Sequence, residues 1–341
     1  MLYLHLQYSG YYLISLKLGK RNPPLLTPKK QTLYKSIKNM TLKKYLFALA
    51  ALFVMLSCNS QSNIESSSLL WKISGNGLDK PSYLFGTHHL VPTTFLDSVP
   101  GLNTAFENTE QVVGELDMSN MSAMQMEIMG ESTMPDGVTY NSMLPKDDIT
   151  LLDSTLKSLI GVGLDQLGVL KPALISNVIT LTLYQKYYPS LSNGISLDQY
   201  FQEEALKRTR PVVGLETTED QIHVLLNSQT MERQAELLMC LIYNPDLLKE
   251  QMDKLQVAYH AQDINALYEI FGKESPDDPC PSTEEERNIL NKDRNEKWLE
   301  KLPAIMKDKS SFIAVGCLHL LGDEGLIKGL REQGYTVEPV S

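Results

Sequence analysis

The chain has 341 residues, with 31 Lys or Arg against 41 Asp or Glu and a formal net charge of −10. The charges are unevenly placed: residues 1–57 hold nine basic residues and no acid, and removing those nine from the 31 leaves 22 basic against 41 acidic residues behind them. So acidic a body excludes a nucleic-acid partner held by bulk charge, and the 284 residues from 58 onward suffice to bury a large core.

Residues 1–39 precede Met40, and an export signal belongs at the true N-terminus, so they read as a non-native or disordered extension outside the fold. Lys43 and Lys44 introduce a 12-residue apolar run, 45–56, which ends at Ser57-Cys58 and gives way to a polar stretch. This charged, apolar, small-residue order is that of a secretory signal over 40–57. The run falls short of the roughly 20 residues that a helix needs to span a bilayer. Cys58 resembles the lipidated cysteine of a bacterial lipobox, although Met55 stands where Leu is usual. The expectation is an exported protein, lipid-anchored through Cys58 at a periplasmic face or cell surface, with 58–68 as a linker and 69–341 as one domain. Cys240, Cys280 and Cys317 remain, an odd number that excludes a full disulfide framework and leaves a Cys240–Cys280 pair open.

From residue 69 onward, short runs rich in Val, Ile, Tyr or Phe predict strands at 69–74, 82–85, 111–115, 210–216, 311–316 and 335–340. Apolar residues at three- and four-residue spacing predict helices over 198–208, 218–226, 231–243, 247–261 and 284–306. The order implies an α/β fold, a central mixed sheet flanked by helices with a helical insert from about 145 to 208. Two echoes leave an internal duplication open: Val112-Val113-Gly114-Glu115 recurs as Val212-Val213-Gly214-Leu215-Glu216, and the run through Gly86 and His89 as the run through Gly316 and His319.

Three of the six histidines follow a glycine at the end of a predicted strand: His88 and His89 after Gly86, and His319 after Gly316. In open α/β sheets the loops leaving the carboxyl ends of strands gather on one edge, where ligands bind. Glu115 and Glu216 also close predicted strands, so four ionisable groups spread over some 230 positions could meet there. Two imidazoles and a carboxylate suit zinc, manganese or a similar divalent ion with positions left open for water. A histidine behind a strand also serves simply to satisfy a backbone group, and a glutamate there to cap a helix. Spacing alone leaves those alternatives standing.

The sequence Pro81-Ser82-Tyr83-Leu84-Phe85-Gly86-Thr87-His88-His89-Leu90, followed by Gly114-Glu115-Leu116-Asp117, resembles the opening of the TraB/GumN family. Gly214-Leu215-Glu216-Thr217 with Gln221, then Arg294-Asn295 with Trp298, and Gly316-Cys317-Leu318-His319 are similar to its later blocks, in the family's order. The family is similar in turn to the Tiki proteases, whose paired Gly-x-x-His motifs and a glutamate imply a divalent-metal active site. Carried over, the resemblance implies His89, Glu115 and His319 as ligands of manganese, cobalt or zinc, with Gly86 and Gly316 as their turn glycines. His88 departs from the family, either as a spare ligand or as a neutral change. With a metal present, Glu115 or Glu216 could serve as base and Arg294, beside Asn295, could stabilise an oxyanion or hold a substrate carboxylate. Arg294 on a helix of mixed charge could equally be a surface ion-pair partner.

Cys317 reads as a small buried thiol rather than a nucleophile. The methionines between Met118 and Met143 read as a flexible apolar face or lid for an extended substrate rather than a copper site. The implied activity is that of an exported, metal-dependent, peptidase-like hydrolase acting on a peptide or protein segment. A non-catalytic lipoprotein that sequesters a peptide or a metal-containing ligand is the competing reading.

Overall fold

In the computed structural model, residues 68–189, 194–271 and 278–340 are described. The extension, the signal and Cys58 lie outside the described residues, as does all of the linker except Ser68.

Six strands form a single sheet: β1 (Leu70–Gly75), β2 (Ser82–Thr87), β3 (Gln111–Gly114), β4 (Val212–Gly214), β5 (Ser311–Gly316) and β6 (Tyr335–Pro339). Their spatial order is β4-β3-β5-β2-β1-β6. The first four in that order run parallel, and β1 lies antiparallel between β2 and β6. The sequence shows why. β3 and β5 read as unbroken apolar runs, Val112-Val113 and Phe312-Ile313-Ala314-Val315, and are buried on both faces, as parallel central strands must be. β6 alternates instead, with Tyr335 and Val337 buried and Thr336 and Glu338 exposed. That is the pattern of an edge strand covered on one side.

The described residues fall into two compact units. One holds the sheet and comprises 68–119, 194–224, 246–271 and 278–340. Its helices include Leu102–Glu107, Leu197–Lys207, Pro245–His260, Asp293–Asp308 and Leu326–Glu332. The helix Leu197–Lys207 is seated by Phe201, whose ring lies 4.7 Å from Phe312 on β5 and 5.5 Å from Phe85 on β2, with Phe106 closing the cluster. Burying each such ring contributes about 1.5–3 kcal/mol. The helix Asp293–Asp308 buries Asn295, Trp298, Leu302 and Met306, spaced as one face of a helix. A π-helical turn, Asn288–Lys292, immediately precedes it.

The other unit is helical and comprises 120–189 and 225–245. Its centre is the helix Pro172–Tyr187, apolar around most of its circumference and correspondingly buried. It packs against Lys146–Ile160 and Met231–Tyr243.

The sheet and its order of elements agree with the sequence reading, and the differences are local. Helices between β3 and β4 begin at Met121 rather than near 145, because the methionine-rich segment is itself the helix Met121–Glu131. The fourth strand is only Val212–Gly214, since the backbone N–H of Arg210 bonds back to the Ala205 carbonyl of the preceding helix, its guanidinium reaching the carbonyls of Phe106 and Glu107. Both echoes join neighbouring parallel strands. Val112, Val113 and Gly114 pair with Val212, Val213 and Gly214, and Gly86 and Thr87 pair with Val315 and Gly316. The echoing runs thus lie side by side in the sheet, β3 buried throughout and β4 only in part. Cys240 and Cys280 are each disulfide-bonded, whereas Cys317 is a buried free thiol. Among the described residues no helix is long and apolar enough to cross a membrane.

Candidate active site

Because β4, β3, β5 and β2 are parallel, their carboxyl ends share one edge of the sheet. The residues just beyond them are Glu216, Glu115, His319 and the pair His88-His89. The two glutamates sit side by side, since backbone pairing continues past the formal strand ends: Leu215 donates to the Gly114 carbonyl and Glu216 to that of Glu115, each at 2.9 Å. A capping box between Thr217 and Asp220 then starts the helix Thr218–Ile222, which brings Gln221 back over the glutamates.

Arg294 joins these groups. Its side chain is 13% exposed, and all five N–H groups are used. Nε and Nη2 fork onto Glu216 at 3.0 and 2.6 Å. Nη2 also reaches Glu115 Oε2 at 2.6 Å, and Nη1 donates to the Leu290 carbonyl and to His319 Nε2 at 3.2 and 3.1 Å. Its plane lies over Trp298, 4.9 Å from the ring centroid. The surface ion-pair alternative therefore does not describe it.

Glu115 is shared between its two oxygens. Oε2 takes Arg294 and Gln221, the latter at 3.2 Å. Oε1 accepts the Gly316 N–H at 2.9 Å and lies 4.0 Å from His319 Nε2. Burial opposes its charge, but Arg294, with His319 and His89 adding to it, holds the carboxyl well below the usual range. The glycine matters here, because a Cβ on Gly316 would stand 3.3 Å from Glu115 Oε1. Gly86 is needed for a different reason: a Cβ there would lie 2.9 Å from the Cys317 backbone, where the loop after β5 crosses β2.

His319 is fixed by Asn295. The ring's Nδ1 donates to Asn295 Oδ1 at 2.8 Å, while the Asn295 amide donates to the carbonyls of His319 and Glu324 at 3.1 and 2.7 Å. Burial and the neighbouring guanidinium pull the imidazole down to about 3, so it is neutral at ordinary pH. With Nδ1 carrying the proton, Nε2 keeps the lone pair that accepts from Arg294 Nη1. His89 is held at Nδ1 as well, by Asp198 Oδ2 at 2.5 Å. It is near enough to bear electrostatically on both Glu115 and His319.

The other candidates separate. His88 turns away from this group, edge-on to Tyr259 at 5.2 Å between centroids. Its Nδ1 accepts the Leu90 N–H, so the neutral ring has spent its only lone pair. Burial and the proximity of His89 and His260 lower it to about 3. Cys317 is raised to about 12 by burial, which keeps it a thiol and no nucleophile.

Asp198 escaped the sequence reading, which had it only as the start of a helix. Its place in the first turn of Leu197–Lys207, behind the Ser196 cap, is that of any dipole-stabilising acid. The signal that it differs is tertiary: the carboxylate is 2% exposed and bonded to Thr87 and His89, both more than 100 residues distant in sequence.

Imidazole nitrogens and carboxylate oxygens are donor types that divalent ions accept. Two buried carboxylates, Glu115 and Glu216, face the buried guanidinium of Arg294, and a third, Asp198, faces His89. As the side chains stand, no three His, Cys, Asp or Glu among the described residues close into a single shell, and Arg294 rather than a third ligand faces His319 Nε2.

The chain is thus an α/β protein with buried histidines, glutamates and an arginine at its parallel strand ends. The chain belongs to the TraB/PrgY/gumN family, whose profile matches residues 69–339. It is similar to Metalloprotease TIKI2 of Xenopus tropicalis, 26% identical over 323 residues, covering 82% of this chain and 61% of that protein. Metalloprotease TIKI1 of Homo sapiens is 25% identical over 317 residues, with 80% and 62% covered. The chain thus spans about three fifths of the length of these relatives. No solved structure gives a significant match.

Proposed function

We propose that this chain is a divalent-metal-dependent hydrolase of peptidase type, acting on a peptide or protein segment at the edge formed by β4, β3, β5 and β2. The observation that carries the reading is the approach of His319 Nε2, whose lone pair accepts from Arg294, to Glu115 Oε1 at 4.0 Å, both buried beyond the ends of parallel strands. The names of the similar proteins, both called metalloproteases, support it.

His89, His319 and Glu115 would hold the ion; manganese, cobalt and zinc all accept such donors. Bound there, a divalent ion polarises a carbonyl and acidifies water. The protein supplies the remainder. Glu115 Oε1 is the oxygen available to ligate or to take a proton, because Arg294 and Gln221 occupy Oε2. Arg294 provides positive charge where an oxyanion would develop, and Glu216 fixes the plane of the guanidinium. The second reading, a non-catalytic protein that binds a peptide or a metal-containing ligand, draws on one observation: Arg294 already occupies the lone pair of His319.

Two measurements on the full chain decide between them, elemental analysis of the purified protein and a peptide-library cleavage screen with added manganese, cobalt or zinc. Cleavage that needs a divalent ion and disappears in His319→Ala supports the hydrolase. Cleavage indifferent to chelator and to His319→Ala, or tight peptide binding without cleavage, overturns it.

Export with a lipid on Cys58 belongs to the same proposal, resting on the order of Lys43-Lys44, the apolar run and Ser57-Cys58. Cys58→Ala is expected to move the protein from the membrane fraction to the soluble one. Unchanged retention on fractionation would mean that something other than a lipid holds it.

A further inference from the structure

Each of the two histidines at the site's edge is gripped at Nδ1, but by unlike partners. His319 has a neutral amide, Asn295 Oδ1 at 2.8 Å, whereas His89 has a carboxylate, Asp198 Oδ2 at 2.5 Å. A helix-start acid with no other task would face solvent and its own backbone. Asp198 is instead nearly fully buried and spends both oxygens on side chains of the β2 loop, Oδ1 on the Thr87 hydroxyl at 2.7 Å and Oδ2 on His89. Its backbone is immobilised by the Ser196 cap on one side and by Phe201 in the aromatic cluster on the other. The carboxylate is thus a fixed acceptor, built from a different part of the chain than the histidine it holds.

We infer that Asp198 is a positioning residue for His89: it locks the ring in the Nδ1–H form and leaves Nε2 as its only nitrogen free to act as a donor. A carboxylate behind an imidazole also strengthens that donor, as outer partners of metal-binding histidines do. The two histidines are then inequivalent, His89 being held by a carboxylate and His319 by the neutral amide of Asn295. This rests on the metal-site reading for what Nε2 is used for, but not for the tautomer itself.

The test uses the full chain, with ¹⁵N-labelled histidine and chelator present, and reads the ring nitrogens by long-range ¹H–¹⁵N correlation. His89→Gln identifies the signals. In the wild type, His89 should show an Nδ1–H form with a far-downfield Nδ1 proton. Asp198→Ala should shift the ring toward Nε2–H. Asp198→Asn keeps an acceptor, so it should retain Nδ1–H but lose the downfield position of that proton. Cobalt titration followed by its visible absorption should show about 10–100-fold weaker binding in Asp198→Ala, with Asp198→Asn in between. If Asp198→Ala does not fold, the Asp198→Asn spectrum carries the test. A His89 tautomer and proton shift indifferent to both substitutions overturns the inference. Wild-type protein that shows the locked tautomer yet binds no cobalt would sink the metal-site reading and leave the role of Asp198 intact.

Discussion

Arg294→Met is expected to be the most damaging single change to stability in the sheet unit, costing about 3–5 kcal/mol in denaturant unfolding. The reason is what it leaves behind. Glu115 and Glu216 are each 5% exposed at the side chain and carry their charges against this guanidinium. Methionine fills much of the volume but supplies none of the charge, so two adjacent carboxylates would stand without compensation in a poorly solvated place. The effect should be strongly non-additive. Adding Glu115→Gln and Glu216→Gln removes the stranded charges, and much of the lost stability should return. If the triple variant were no more stable than Arg294→Met, the loss would come from packing against Trp298, and the electrostatic account would fail. Arg294→Lys should rescue only in part, because an ammonium cannot reproduce the fork onto Glu216 together with bonds to Glu115, Leu290 and His319.

The second expectation concerns Glu115→Gln and separates function from stability. The substitution keeps the shape and lets Arg294 retain Glu216, so its stability cost should be smaller, about 1.5–3 kcal/mol, that of a hydrogen bond to a charged group. Hydrolysis should fall much further, by about 10²–10⁴-fold, the range for a group that moves or holds a proton in the reaction. Peptide-cleavage rates set beside unfolding midpoints check both figures. A Glu115→Gln enzyme with near wild-type turnover would remove Glu115 from the chemistry and leave it as the partner of Arg294. Substrate affinity offers a further discriminator, since the binding-protein reading predicts that the variant holds peptide as the wild type does.

Much of the architecture could be read from local pattern. Val112-Val113-Gly114 and Phe312-Ile313-Ala314-Val315-Gly316 declare doubly buried strands by composition, and the three- and four-residue spacing of Trp298, Leu302 and Met306 declares a helix with one buried face. What was misread was misread for local reasons. The methionines after Met118 read as a flexible apolar face, and the helix that forms there buries Met124 but leaves Met126 and Met129 exposed. Arg210 looks like strand because it adjoins Pro211-Val212-Val213, but its backbone N–H bonds back to the Ala205 carbonyl.

For the site the division is sharper. That His89, Glu115, Glu216 and His319 should lie near one edge followed from each one closing a strand, since a sequence can show where a strand ends. Which of them touch could not follow, because the register that sets Glu115 beside Glu216 and the Gly316 N–H beside Glu115 Oε1 arises from pairing between strands 100 and 200 residues apart. Arg294 was ambiguous in sequence for the same reason: a charged residue among charged neighbours on a helix looks solvated until the fold turns it inward. Asp198 is the extreme case. Its local setting, a capped first turn, fully explains an aspartate at that position, and only the packing of Phe201 on β5 brings the carboxylate under His89. Sequence by itself determined the class of fold and the strand ends, because both depend on near-neighbour pattern and burial. Tertiary structure alone decided the partners of each buried charge, because a charge out of water is stabilised by whatever group the fold sets within about 3 Å of it.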